Sequence, residues 1–179
     1  ITGTRYKLDD YTPYIYKTED YGQSWQLITK GISAMHFTRV MRADHKRAGL
    51  LYAGTEFGMY ISYDGGANWQ PFQLNLPLVP ITDLTIKNND LIVATQGRSV
   101  WMIDDLSMVQ QADPSALIKS IHIYRATDSY RVSGISTRWG SMSVPANSAT
   151  NPPKGAVINF WLKDEVMDST QASVSILDP

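Results

Sequence analysis

An all-β fold is what this sequence predicts, and three observations predict it. Ten Tyr, five Trp, four Phe, twelve Gly and nine Pro in 179 residues are the stock of short strands and tight turns. Short segments alternate apolar and polar residues along most of the chain, the period of a half-buried strand. An eight-residue pattern also occurs twice, as "TEDYGQSW" from Thr18 to Trp25 and "SYDGGANW" from Ser62 to Trp69. Asp64 minus Asp20 is 44, within the range of about 40 to 50 residues that propeller blades occupy. The expectation is a partial β-propeller of about two and a half four-stranded blades.

The elements follow in order. "PYIYKTEDYGQSWQLI" (13–28) supplies a third and a fourth strand around the first box, so that the first unit is incomplete at its front. The second unit is whole: "FTRVMRA" (37–43), the charged turn "DHKRAG", "LLYAGT" (50–55), a short "EFG", "MYISY", the second box and "WQPFQ". A third unit repeats the order with "ITDLTI" (81–86), "KNND", "LIVAT" (91–95), "QGRS" and "VWMID" running into Asp104-Asp105. Its box has decayed, because no Gly-x-x-Trp follows Asp105.

Within each box the residue types describe a turn that holds itself together. The hydroxyl of Thr18 or Ser62 and the carboxylate of Asp20 or Asp64 can bond the turn's own backbone. Gly22 and Gly66 take the positive φ that closes a hairpin, and Trp25 and Trp69 return to pack on the hairpin flank. Such a staple specifies geometry, which makes Asp20 and Asp64 poor catalytic candidates.

These residues carry a resemblance. "TEDYGQSW" and "SYDGGANW" are similar to the Asp-box of bacterial neuraminidase-repeat propellers, a superfamily that includes sialidases, xyloglucanases and sortilin-type receptors. The stretch from Tyr14 to Val109, through "LLYAGTEFGMYISYDGGANW" and "DLIVATQGRSVWMIDD", more closely resembles bacterial sortilin-like and glycosyl-hydrolase repeat proteins. The resemblance implies a secreted or periplasmic protein whose partners are the remaining blades of the same propeller and a carbohydrate or peptide ligand. It speaks to fold more than to reaction, since one scaffold hosts many functions. Two functional classes follow: a binding propeller of the sortilin-like kind, or a glycoside hydrolase whose catalytic carboxylates lie mostly outside this chain.

Three segments are expected: propeller blades over 1–111, a linker with a short helix and a mobile loop over 112–153, and over 154–179 the start of a β-sandwich-like segment, which is what the resemblance of "NPPKGAVINFWLKD" to the opening of the β-sandwich behind such propellers implies. "QQADPSALIKS" forms the helix, with Asp113 or Ser115 as its cap and Pro114 near its start. "IHIYRA", "AVINFWLKD" and "ASVSILD" read as strands, and high mobility is expected around 144–152, where Ser, Pro and Asn concentrate. Two strands alone bury no sandwich core.

Parity locates the ligand face. In an antiparallel four-stranded blade, the turns joining strands one to two and three to four share one end, and the remaining connections share the other. The boxes and the turn Asp44-His45-Lys46-Arg47 fall at the first end. Glu56, Phe57, His36, Gln96 and Arg98 fall at the second, where sialidase-like propellers place their groove, and these five are the binding candidates. A blade-to-blade ion pair of Glu56 with Arg98 is the structural alternative. Glycoside hydrolysis needs two carboxyls about 5 to 10 Å apart, for which Glu56 and, on an inner strand, Asp83 are the catalytic candidates. A sialidase arginine triad cannot be assembled: Arg39 and Arg42, three apart in one strand, face opposite sides.

Net charge of −1 and a pI near 6.3 give no electrostatic footprint for nucleic acid. No run approaches the roughly 20 apolar residues of a membrane span. No cysteine is present, and His36, His45 and His122 lie in separate segments without metal-ligand spacing. Neither a metal nor a cofactor is expected from these patterns.

Overall fold

The computed structural model describes residues 1–129, 155–165 and 173–175. The chain divides into two compact units, Ile1–Gln110 and Gln111–Pro179. The first is all-β: three consecutive antiparallel sheets, each built from neighbours in sequence.

The first sheet orders β1 (Thr2–Arg5), β2 (Asp10–Lys17) and β3 (Gln26–Leu27). It thus has one strand more than the sequence suggested. "TGTR" pairs with β2 through Thr2 opposite Ile15 and Gly3 opposite Tyr14, and a 3-10 turn at Tyr6–Leu8 joins the two. The second sheet is complete, with β4 (Thr38–Ala43), β5 (Leu51–Thr55), β6 (Gly58–Ser62) and β7 (Gln70–Pro71) in chain order. The third holds β8 (Ile81–Lys87), β9 (Asp90–Thr95) and β10 (Val100–Ile103), and β10 is its outer edge. After Ile103 the chain turns into a helix, α1 (Ser107–Gln111), instead of an outer strand.

Period-two alternation explains how the sheets stack. Tyr52, Met59 and Ile61 leave one face of the second sheet to join Ile81, Leu84, Leu91 and Val93 of the third. Ala53 and Tyr60 leave the other face to join Ile15 of the first sheet and Ile28 and Ile32 of the connection that follows β3. With both faces covered, all five residues of β6 are buried, which is why "GMYIS" is more apolar than a half-buried strand requires. Gly54 permits this approach: a Cβ there would come within 2.8 Å of Ile81 Cβ and Val40 Cγ1.

Both boxes fold into the same hydrogen-bonded turn. Thr18 Oγ1 donates to Asp20 Oδ1 at 2.8 Å and accepts from the Gly22 amide at 2.8 Å, and Asp20 accepts from the Ser24 amide at 2.8 Å and hydroxyl at 2.6 Å. Ser62, Asp64, Gly66 and Asn68 repeat those bonds at 2.8, 2.9, 2.8 and 2.8 Å. The Ser24 bonds, side chain first, pull Asp20 down to about 2, and those of Asn68 lower Asp64.

Trp25 lies against its own turn, its ring 3.7 Å from where a Cβ on Gly22 would stand, but Trp69 departs from the expected flank packing. Trp69 is 5% exposed and its Nε1 donates to the Ile28 carbonyl of the preceding sheet at 2.7 Å, so it joins two sheets rather than closing one hairpin. Trp25 is 47% exposed.

In the second unit Asp113 caps α2 (Pro114–Leu117), accepting from the Ser115 amide at 2.9 Å and hydroxyl at 2.6 Å. α1, beginning earlier at Ser107, had no counterpart in the sequence expectation of one helix. β11 (Ile121–Ile123) pairs antiparallel with β12 (Phe160–Leu162). The described part of "ASVSILD", 173–175, is not a strand. The loop over 144–152 lies outside the described residues. Among the described residues, no helix is long and apolar enough to cross a membrane.

Candidate functional site

The two ends of the sheets separate as parity requires. At the box end, the Gly65 amide donates to the Gly49 carbonyl at 2.8 Å, joining the second box to the charged turn. At the other end, the Glu56 amide reaches the Phe37 carbonyl at 3.1 Å, the Gly58 amide the Val79 carbonyl at 3.2 Å, and the Gln96 amide the Pro80 carbonyl at 3.0 Å. The candidate binding residues all belong to this second, loop-bearing end.

Local chemistry presents Glu56 and Phe57. Thr55 Oγ1 donates to the Gly58 carbonyl at 2.9 Å and accepts from the Phe57 amide at 3.1 Å. Gly58 closes the turn at φ +96°, a conformation that favours glycine. Glu56 is then held by Arg39, whose Nε and terminal nitrogen lie 2.7 and 2.6 Å from Glu56 Oε2. A β-bulge makes this reach possible: the register passes from Thr38 opposite Thr55 to Val40 opposite Gly54, which leaves Arg39 as the extra residue and re-aims its side chain.

The Arg39 guanidinium also sits 5.2 Å from the Phe37 ring centre and 5.9 Å from that of Tyr6. Tyr6 stacks on Phe37 at 5.0 Å, and Tyr11 lies 6.1 Å from the same ring. Phe37 is buried, whereas Tyr6 and Tyr11 are exposed. On the following residue, Phe57 packs at 5.0 Å against His36, whose Nδ1 is 2.9 Å from the Tyr60 hydroxyl. Burial pulls the His36 imidazole below its ordinary value, so at neutral pH the ring is uncharged and Nδ1 can accept the Tyr60 proton. The result is one ion pair between two aromatic groups, with Tyr6, Tyr11 and Phe57 offering exposed ring surface.

The ion pair of Glu56 with Arg98 does not form. Arg39 lies on the strand beside β5 and meets Glu56 first. Gln96 and Arg98 are exposed on the β9–β10 turn, where the Arg98 carbonyl accepts from Trp101 Nε1 at 2.7 Å. Asp83 is engaged elsewhere: its Oδ1 accepts from Arg42 and from the Leu84 amide, each at 2.8 Å. The two carboxylates proposed for hydrolysis are thus tied to different arginines, three residues apart on β4. Among the described residues, no three His, Cys, Asp or Glu side chains gather as a metal would require.

Tyr6, Tyr11, Phe37 and Arg39 were missed as site residues. The signal was present, because "TGTRYKLDDYTPYIY" holds a strand, a turn and a strand. Had β1 been recognised, Tyr6 would have fallen on the turn equivalent to Glu56-Phe57. No protein-family model and no curated protein matches this chain.

Proposed function

We propose that the unit Ile1–Gln110 is a run of Asp-box propeller blades from an exported binding protein of the sortilin-like kind, and that its loop-bearing end takes a carbohydrate or peptide ligand. Support for the blade reading comes from three sheets stacked in chain order, with the box bonds duplicated to within 0.2 Å. The single observation behind the ligand reading is the Arg39–Glu56 ion pair set among the exposed rings of Tyr6, Tyr11 and Phe57. Exposed aromatic rings beside fixed polar groups are how sugar faces and peptide side chains are held, the rings giving contact area and the charges orientation.

The hydrolase alternative draws no support from Glu56 and Asp83, since each is bound by its own arginine, Arg39 and Arg42. The test is titration of the protein with a panel of oligosaccharides, sialosides and peptides with free C-termini, followed by calorimetry. Phe57→Ala and Tyr6→Ala are expected to weaken the best binder by about tenfold or more, the loss of roughly 1.4 kcal/mol of ring contact. Unchanged affinity in both variants would place the ligand elsewhere. Hydrolysis of any panel member, lost in Glu56→Gln, would overturn the binding reading in favour of an enzyme.

A further inference from the structure

Counting from the aspartate of each box aligns the three sheets residue by residue. Five residues after it stand Trp25, Trp69 and Gln110; four before it stand Tyr16, Tyr60 and Trp101; five before it stand Ile15, Met59 and Val100. In the first two sheets the chain runs on as a short outer strand, and the residue eight after the aspartate donates its amide back: Ile28 to the Ile15 carbonyl and Phe72 to the Met59 carbonyl, each at 2.9 Å. The second of these sheets also sends its tryptophan, Trp69, across to the Ile28 carbonyl.

The third sheet does neither. Gln110 occupies the tryptophan's place in the count and turns its amide to Asp44 and Asn89, at 3.0 and 2.8 Å. Among the described residues, β10 therefore has no strand on its outer side. The Ser99 carbonyl faces β9, accepting from the Thr95 amide, so by alternation the amides and carbonyls of Val100 and Met102 face outward. Both residues are exposed, at 66% and 57%. Beside this edge a narrow cleft of about 30 Å³ is lined by Met59, Phe72, Leu76, Val93, Trp101 and Ile103. It lies between the second and third sheets, as the Trp69 site lies between the first and second, and Phe72 holds the place in the count that Ile28, whose carbonyl receives Trp69, holds in the first sheet.

We propose that this cleft and the β10 edge together form a strand-addition site for an extended peptide segment bearing a tryptophan three residues before a large apolar residue. The tryptophan widens the cleft by displacing the exposed Leu74 and Met102 side chains that also line it, and donates to the Phe72 carbonyl. The apolar residue's amide bonds the Val100 carbonyl. This is the pattern of the chain's own "WQLI" and "WQPF", and edge addition of this kind takes affinity from backbone bonds and specificity from side-chain pockets. The site is independent of the loop-end reading.

The probe is a fluorescein-labelled peptide of sequence SWQLITK, that of Ser24 to Lys30, read by anisotropy against the full chain. A saturable rise with a sub-millimolar dissociation constant is expected, weakened about tenfold or more by Trp→Ala in the peptide or by N-methylation of its isoleucine, each of which deletes one of the named interactions. On the protein side, Met102→Pro removes an outward amide and no ladder bond, and is expected to weaken binding similarly. N-methylation leaves the protein untouched, so it decides the matter even if Met102→Pro misfolds. No binding at about 1 mM peptide, the weak end of specific recognition, would overturn the proposal, as would equal binding of the three peptides.

Discussion

Trp69 shows how much of this protein's stability rests on single residues that cross between sheets. It is buried, bonded to a main-chain carbonyl and surrounded by Ile15, Ile28, Ile32, Ala53 and Tyr60. Trp69→Ala should cost about 3 to 5 kcal/mol, the range for a core aromatic deletion, measured by urea unfolding. Trp25→Ala, at a half-exposed ring, should cost much less; equal losses would mean that the rings stabilise their own turns and not the sheet junction. His36 gives a pH signature. Its folded-state affinity for a proton lies below the ordinary value, which is about 6.5 in the unfolded chain. The unfolded state therefore takes up the proton first, so stability is full above about 6.5 and declines as pH falls through the lower folded value. The urea midpoint should fall over this window, and His36→Gln should flatten that part of the curve.

At the scale of the element, the box turns are autonomous and their surroundings are not. Gly22 and Gly66 share φ values of +90° and +91°, so alanine is strained at both by about 1 to 2 kcal/mol. A Cβ on Gly22 meets only Trp25, at 3.7 Å, whereas one on Gly66 collides with the Ile28 side chain. Gly66→Ala should therefore destabilise clearly more than Gly22→Ala in the same denaturation assay. Acid acts on both turns alike. Asp20 and Asp64 are held below the usual carboxylate range, so their contribution is present above about 3.8 and is lost as pH falls through the depressed values. Turn chemistry of this kind was legible from eight residues, because every donor and acceptor lies within four positions of its partner. The outer strand missing from the third sheet was less legible: "VWMIDD" resembles its predecessors until the position where a tryptophan should stand.

At the scale of the whole unit Ile1–Gln110, a polar network locks the box end of the second and third sheets. Asp44, 9% exposed, accepts from the Lys46 and Arg47 amides at 2.8 Å, from the Tyr52 hydroxyl at 3.3 Å and from Gln110 Nε2 at 3.0 Å. Burial alone would push Asp44 up, but these bonds outweigh it and hold the carboxyl below its ordinary value. Arg47 donates to the Val109 and Gln110 carbonyls at 3.4 and 3.0 Å, fixing the end of α1. Gln110→Ala should cost about 1 to 3 kcal/mol, the penalty for leaving buried acceptors short of a donor, and raise amide exchange in residues 107–111.

The sequence by itself determined β2 to β10, their turns and the end of the sheets to which each loop belongs, since alternation and Asx-type turns are written within a few residues. Only the tertiary structure decided that Glu56 pairs with Arg39, that Trp69 is buried while Trp25 is not, and that no described strand covers the outer side of β10. Those outcomes depend on which sheet lies alongside and on a bulge that shifts register by one residue, and neither has a local signature in the chain.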